Sequence, residues 1–116
     1  MAVVWANQAG NWTDTAIWSY WDEATQSIQL YGQGPQENDI VYCNGYIVTI
    51  NSTLTISCEK ITNGICEFTQ RFGGYIEIST SVNVVFDCDL INDYQSTMLV
   101  HTLNALITAI VNGNVI

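Results

Sequence analysis

From residue 39 onward, apolar and polar side chains alternate with a period of two in segments rich in Val, Ile and Thr, and no long stretch carries an unambiguous helical period. Alternation of this kind sends successive side chains to opposite faces of an extended chain, so it calls for strands with one buried face. The segments 40–43, 46–50, 54–58, 75–78, 82–88, 98–101 and 105–111 satisfy it. Between them, Asn44-Gly45, Asn63-Gly64, Gly73-Gly74, Asn92-Asp93 and Asn112-Gly113 supply residues that tolerate the positive φ of tight corners. An all-β chain is expected.

Three of these segments resemble one another. Residues 54–62, 84–92 and 105–113 align so that Leu54, Ile56 and Cys58 match Val84, Phe86 and Cys88, then Ala105, Ile107 and Ala109. Each ends in a corner rich in Asn, Asp or Gly. The first interval exceeds the second, and the surplus falls at 64–74, which reads as a protruding hairpin or loop. Rungs of about 20 residues with apolar side chains inward and Thr, Ser, Asn or Asp outward describe a β-solenoid, in which equivalent side chains stack from rung to rung. Cys58 and Cys88 then share one internal ladder, capped by the smaller Ala109. A β-sandwich built from seven alternating strands is the alternative. The stretch from Leu99 to Ile110 also fits a helical spacing, but Thr108, Ile110, Val111 and the repeat favour a strand.

At 116 residues the chain is expected to form a single all-β domain over 1–116, with a tryptophan-rich segment at 1–38 and solenoid-like rungs at 39–116. All four tryptophans lie within the first 21 residues. One reading makes them a cap, since the first rung of a solenoid exposes an apolar cross-section that bulky rings can cover. The other makes Trp12, Trp18, Tyr20 and Trp21 a platform on which sugar rings stack. At the other end, 112–116 resembles the start of a further strand. An apolar edge there needs a cover, which is another copy, another protein or a continuation of the chain, and this makes Val115 and Ile116 candidate interface residues.

Two Lys and Arg stand against eleven Asp and Glu, a formal charge of -9. Such a surface repels phosphate, which argues against direct binding to nucleic acid or to an anionic membrane. No secretory signal is visible at the N-terminus, and the longest apolar stretch is shorter than the roughly 20 residues of a membrane-spanning helix. Cys43, Cys58, Cys66 and Cys88 form no CxxC pair and there is a single His101, so no zinc spacing exists and the cysteines read as buried free thiols.

The order Gly10-Asn11-Trp12-Thr13-Asp14, Trp18, Pro35, Asn38-Asp39-Ile40-Val41-Tyr42 and Asn44-Gly45-Tyr46-Ile47-Val48-Thr49-Ile50 resembles a module of bacteriophage virion proteins. In that module a tryptophan-containing N-terminal segment opens a β-helical body. The resemblance spans roughly residues 5–60 and the remainder only in style. It implies a structural role in the virion, as a head fibre, decoration protein or tail component. It also implies self-association, often as a homotrimer, and contact with other capsid or tail proteins. The chain is shorter than such proteins usually are, with room for about three rungs.

No catalytic constellation, cofactor motif or metal site is read from the sequence. There is no Gly-x-Ser-x-Gly, no phosphate loop and no His-Glu-x-x-His. Asp87, Asp89 and Asp93 resemble a calcium loop only superficially, because Ile91 occupies a ligand position and the required Gly and Glu are missing. Glu37 and Asp39 read as turn residues beside Pro35. Arg71, Phe72 and His101 complete the candidate interface, with Arg71 expected to pair with a carboxylate of a neighbouring copy. The expected function is therefore non-enzymatic assembly within a virion, and the alternative is a carbohydrate-binding or adhesin module.

Overall fold

Stiff β-branched side chains and alternating polarity give the chain little choice but extended backbone. The computed structural model describes residues 1–94, 96–103 and 106–116. Eleven strands appear among them: β1 (Val3–Ala6), β2 (Gly10–Asn11), β3 (Trp18–Asp22), β4 (Ser27–Leu30), β5 (Ile40–Tyr42), β6 (Ile47–Ile50), β7 (Leu54–Thr62), β8 (Tyr75–Ile78), β9 (Asn83–Ile91), β10 (Val100–Thr102) and β11 (Thr108–Val111). A single turn of 3-10 helix, Thr15–Ile17, precedes β3. The protein is all-β.

The strands form a seven-stranded mixed sheet, ordered β11-β9-β7-β5-β1-β3-β4, and a four-stranded sheet, β10-β8-β6-β2. Among the described residues the β1–β3 and β3–β4 ladders are antiparallel and the other ladders parallel. Parallel pairing joins segments far apart in sequence. In one ladder Val4 lies beside Val41, Val41 beside Ile61 and Ile61 beside Leu90, and Val115 bridges to Leu90. In a second, Val48, Ile76 and Val100 are neighbours. In a third, Leu54 pairs with Val84 and Val84 with Ala109. The chain visits these ladders in a recurring order, and the molecule is elongated, with extents of 44 × 27 × 24 Å.

β7 and β9 each serve two ladders. Their register shifts between Ser57 and Lys60, where two residues of β7 face one of β9. Such a bulge bends the strand and redirects its side chains. Cys58 and Cys88 sit at this bend, both buried. All four cysteines are free and buried, and Cys43 has its thiol pushed up to about 12 by burial. The Cys58 thiol is raised further still, first by its hydrogen bond with Cys88 and then by burial.

Two details differ from the sequence reading. The repeat pairs Leu54 with Val84 as expected, but the third segment is displaced by four residues: Val84 lies beside Ala109, where residue 105 was expected. Ala105 itself lies outside the described residues. The place above Cys88 is taken by Gly113 rather than Ala109, and a Cβ on Gly113 would fall 2.2 Å from the Cys88 carbonyl oxygen. Only glycine lets the backbone approach so closely. The segment 64–74 also does not protrude. Its Phe68 ring lies over the outer face of the first ladder, stacked on Trp21 at 4.8 Å and on Trp5 at 5.7 Å.

Candidate assembly surface

The two ends of the stacked strands differ. At the N-terminal end β3 pairs with β1, and β4 extends the sheet beyond it. Ile17, Trp18 and Trp12 are buried there, the tryptophan rings 4.9 Å apart and nearly edge to face. Trp18 Nε1 donates to the carbonyl of Trp12 at 3.2 Å, so the indole polarity is satisfied within the core. Local signals build this arrangement: the Asp14 carboxylate accepts from the amide of Ala16 and turns the chain into the 3-10 segment that delivers Ile17 and Trp18.

These positions decide what the aromatic residues can do. Trp12 and Trp18, expected in one reading to stack on sugars, are 6% and 0% exposed and have no free ring face to offer. Tyr20 is half-buried against Tyr31 at 4.9 Å, and Trp21 is covered on one side by Phe68. The four residues therefore form no common exposed platform.

At the C-terminal end the interior columns run out into solvent. Along the first ladder Val4, Val41, Ile61 and Leu90 are at most 5% exposed, whereas Val115 is 70% exposed. Ala109 is exposed where its column partner Val84 is fully buried. Met98, Leu103, Leu106, Ile110 and Ile116 are exposed as well. Phe86, Leu90, Leu99, Val100, Val111 and Val115 contribute to an almost wholly apolar cavity of about 270 Å³ at this end. Leu90 N donates to the carbonyl of Asn114 and Asn92 N to that of Ile116, each at 2.8 Å, so 114–116 already follows the first ladder. Val115 and Ile116 thus lie on the exposed apolar end, as the sequence suggested.

The remaining candidates are scattered. Arg71 was expected to reach a neighbouring copy, but its side chain is engaged within its own chain. Nε donates to the carbonyl of Asn44 at 3.0 Å, and the guanidinium lies 4.4 Å from the centre of the Tyr46 ring. A cation over a ring with one hydrogen bond made is better used as a loop clasp than as a free partner. Phe72, next to it, is 53% exposed and tilts against Tyr94 at 5.1 Å. His101 stands on β10 opposite Glu77, its ring stacked on Tyr75 at 4.1 Å. Its Nε2 is buried without a hydrogen-bond partner among the described residues.

Asp39 does act as a turn residue, and more. Its buried carboxylate accepts from the amides of Ala2 and Gln36 and from the Tyr31 hydroxyl. Phe68 and Ile17, which complete the two aromatic clusters, carry no strong signal in the sequence; around Phe68 the alternation of Cys66, Glu67, Phe68 and Thr69 breaks off at Gln70-Arg71. Among the described residues no group of three His, Cys, Asp or Glu side chains is placed to hold a metal ion, and no helix is long and apolar enough to cross a membrane.

The fold is all-β, with buried tryptophans beside β1 and β3 and exposed apolar side chains around β10, β11 and 114–116. No protein-family model matches the chain, and neither the curated proteins nor the solved structures contain a match to it.

Proposed function

We propose that this chain is a non-enzymatic assembly module: a short β-solenoid, closed at its N-terminal end by the Trp12–Trp18 cluster and associating through its open C-terminal end. The parallel registers support a solenoid over a sandwich. In a sandwich, strands adjacent in sequence are typically joined as antiparallel hairpins, whereas here Val41 pairs with Ile61 and Leu54 with Val84 across long intervals. The observation that carries the functional reading is the contrast along one column, from Leu90 at 5% exposure to Val115 at 70%. An apolar end with unpaired strand edges is a template for another chain.

The expected partners are further copies of the chain, as a homotrimer, together with other capsid or tail proteins of a phage particle. The virion setting rests on the resemblance of residues 5–60 alone. The acidic surface is compatible with it, because like charge on the sides of the stack directs contacts to the apolar end.

Light scattering of the purified chain across a concentration series tests association. A trimer that becomes monomeric in Val115→Asp, with an unchanged far-ultraviolet spectrum, is the expected result. A monomer at every concentration overturns self-association.

A further inference from the structure

The outer face of the first ladder carries a groove that the assembly reading does not use. Its floor is a row in register, Tyr42 on β5 and Thr62 on β7, with Lys60 beside them. Its walls are the 63–74 loop, which brings Phe72, and the segment after β9, which brings Asp93 and Tyr94. The volume is about 330 Å³, and no lining residue is shared with the apolar cavity at the open end.

Both walls hang on one buried side chain. Asn63, fully inaccessible, donates to Asn92 Oδ1 at 2.7 Å and to the carbonyl of Thr97 at 3.0 Å. Its Oδ1 accepts from the amide of Tyr94 at 2.9 Å, while its backbone carbonyl accepts from the amide of Gly73 at 2.8 Å. Gly73 adopts φ +85, and a Cβ there would lie 3.3 Å from the Tyr94 ring. The two walls are thereby held at a set separation before any ligand arrives, which lowers the ordering cost of binding.

We infer that this groove is a binding site for a neutral hexose unit, free or within a glycan. The lining offers what a pyranose presents in mirror image. Phe72 and Tyr94 form an aromatic corner for the C–H face of a ring, and Phe72 is left 53% exposed to do so. Lys60 and the Tyr42 hydroxyl donate, and the exposed Asp93 carboxylate accepts from hydroxyls. A phenol is a protonated donor at neutral pH, and burial first, then the acidic surroundings, raise Tyr42 further in that direction. Asp89, opposite Lys60 on the ladder, already accepts from the amide of Asn114 at 2.8 Å. Lys60 and Asp93 balance each other within the groove, and the surrounding net charge of -9 disfavours an anionic sugar. The volume lies at the low end of the ~300–1,000 Å³ usual for ligand sites, which suits a small ring rather than a long chain.

Titration of the intact ¹⁵N-labelled chain with the methyl glycosides of glucose, galactose and mannose and with N-acetylglucosamine tests this. At least one sugar should move the amides of Gly64, Asp93 and Tyr94 in a saturable way, with little dependence on salt. Phe72→Ala and Asp93→Asn, both at exposed side chains, should each weaken that binding about tenfold while the rest of the spectrum stays in place. Absence of shifts at these amides with all four sugars overturns the inference, as does unchanged affinity in both variants. Oligomeric mass is read separately at the other surface, so either proposal can fail alone.

Discussion

The hydroxyl of Tyr31 donates to Oδ2 of Asp39 at 2.7 Å, tying the exit of the β3–β4 hairpin to the start of β5. The same carboxylate receives the amide of Gln36 at 2.8 Å, and Oδ1 receives the amide of Ala2 at 3.0 Å. One buried side chain therefore joins the first strand, the antiparallel hairpin and the first return of the parallel stack.

Asp39→Ala should remove about 2–4 kcal/mol of stability, because three donors lose an acceptor that is itself buried. Tyr31→Phe leaves the two amide bonds intact and should cost about 1 kcal/mol. Urea denaturation measures both, and equal losses from the two variants would contradict the central position of the carboxylate.

Stability should fall at alkaline pH. Burial raises Cys43 from 9.0 to about 12, so the folded state holds its proton more tightly than the unfolded chain. The resulting stabilisation is complete below pH 9 and is lost as pH rises toward 12, amounting to about 4 kcal/mol across that window. Tyr31, raised from 10.0 to about 12 by burial and then by Asp39, acts in the same direction above pH 10. Denaturation midpoints should decline from pH 9 upward, with a shallower decline in Cys43→Ala. A flat profile to pH 11 would rule this out.

The two aromatic clusters should respond differently to truncation. Trp18→Ala empties a fully buried position at the covered end and should cost about 3–5 kcal/mol. Trp21→Ala removes a half-exposed ring from the outer stack with Phe68 and should cost about 1–2 kcal/mol. Thermal or urea unfolding ranks them, and a larger loss at Trp21 would mean that the outer stack, rather than the buried pair, holds the N-terminal end together.

Gly113→Ala should release the last segment. The added methyl would meet the Cys88 carbonyl, so 114–116 must lift from β9. The amides of Leu90 and Asn92, which donate to Asn114 and Ile116, should then lose hydrogen-exchange protection while that of Ile61 keeps it. Unchanged protection at Leu90 and Asn92 would show that the backbone accommodates the methyl.

Beyond the first third of the chain, alternation by itself determined most of the strands and which of their side chains face inward. From residue 40 it anticipated β5 to β9, the Asn-Gly corner at Asn44-Gly45 where both residues take positive φ, and the registration of Leu54 on Val84. It also made Val115 and Ile116 legible as an exposed apolar end. A period-two pattern reports orientation because successive side chains must point to opposite faces. It says little about which strand lies alongside, since that depends on the path of the connecting chain. Tertiary structure alone therefore decided the four-residue displacement that sets Ala109 beside Val84, the antiparallel β3–β4 hairpin on the edge of β1, and the placing of exposed Arg71 over Tyr46 of its own chain. The N-terminal strands were hidden because Trp, Tyr, Ser and Gln give weak contrast between buried and exposed positions. The groove was hidden for a different reason: Tyr42, Lys60, Phe72 and Tyr94 come from separate segments of the chain, and the hydrogen bonds of buried Asn63 help bring their loops together.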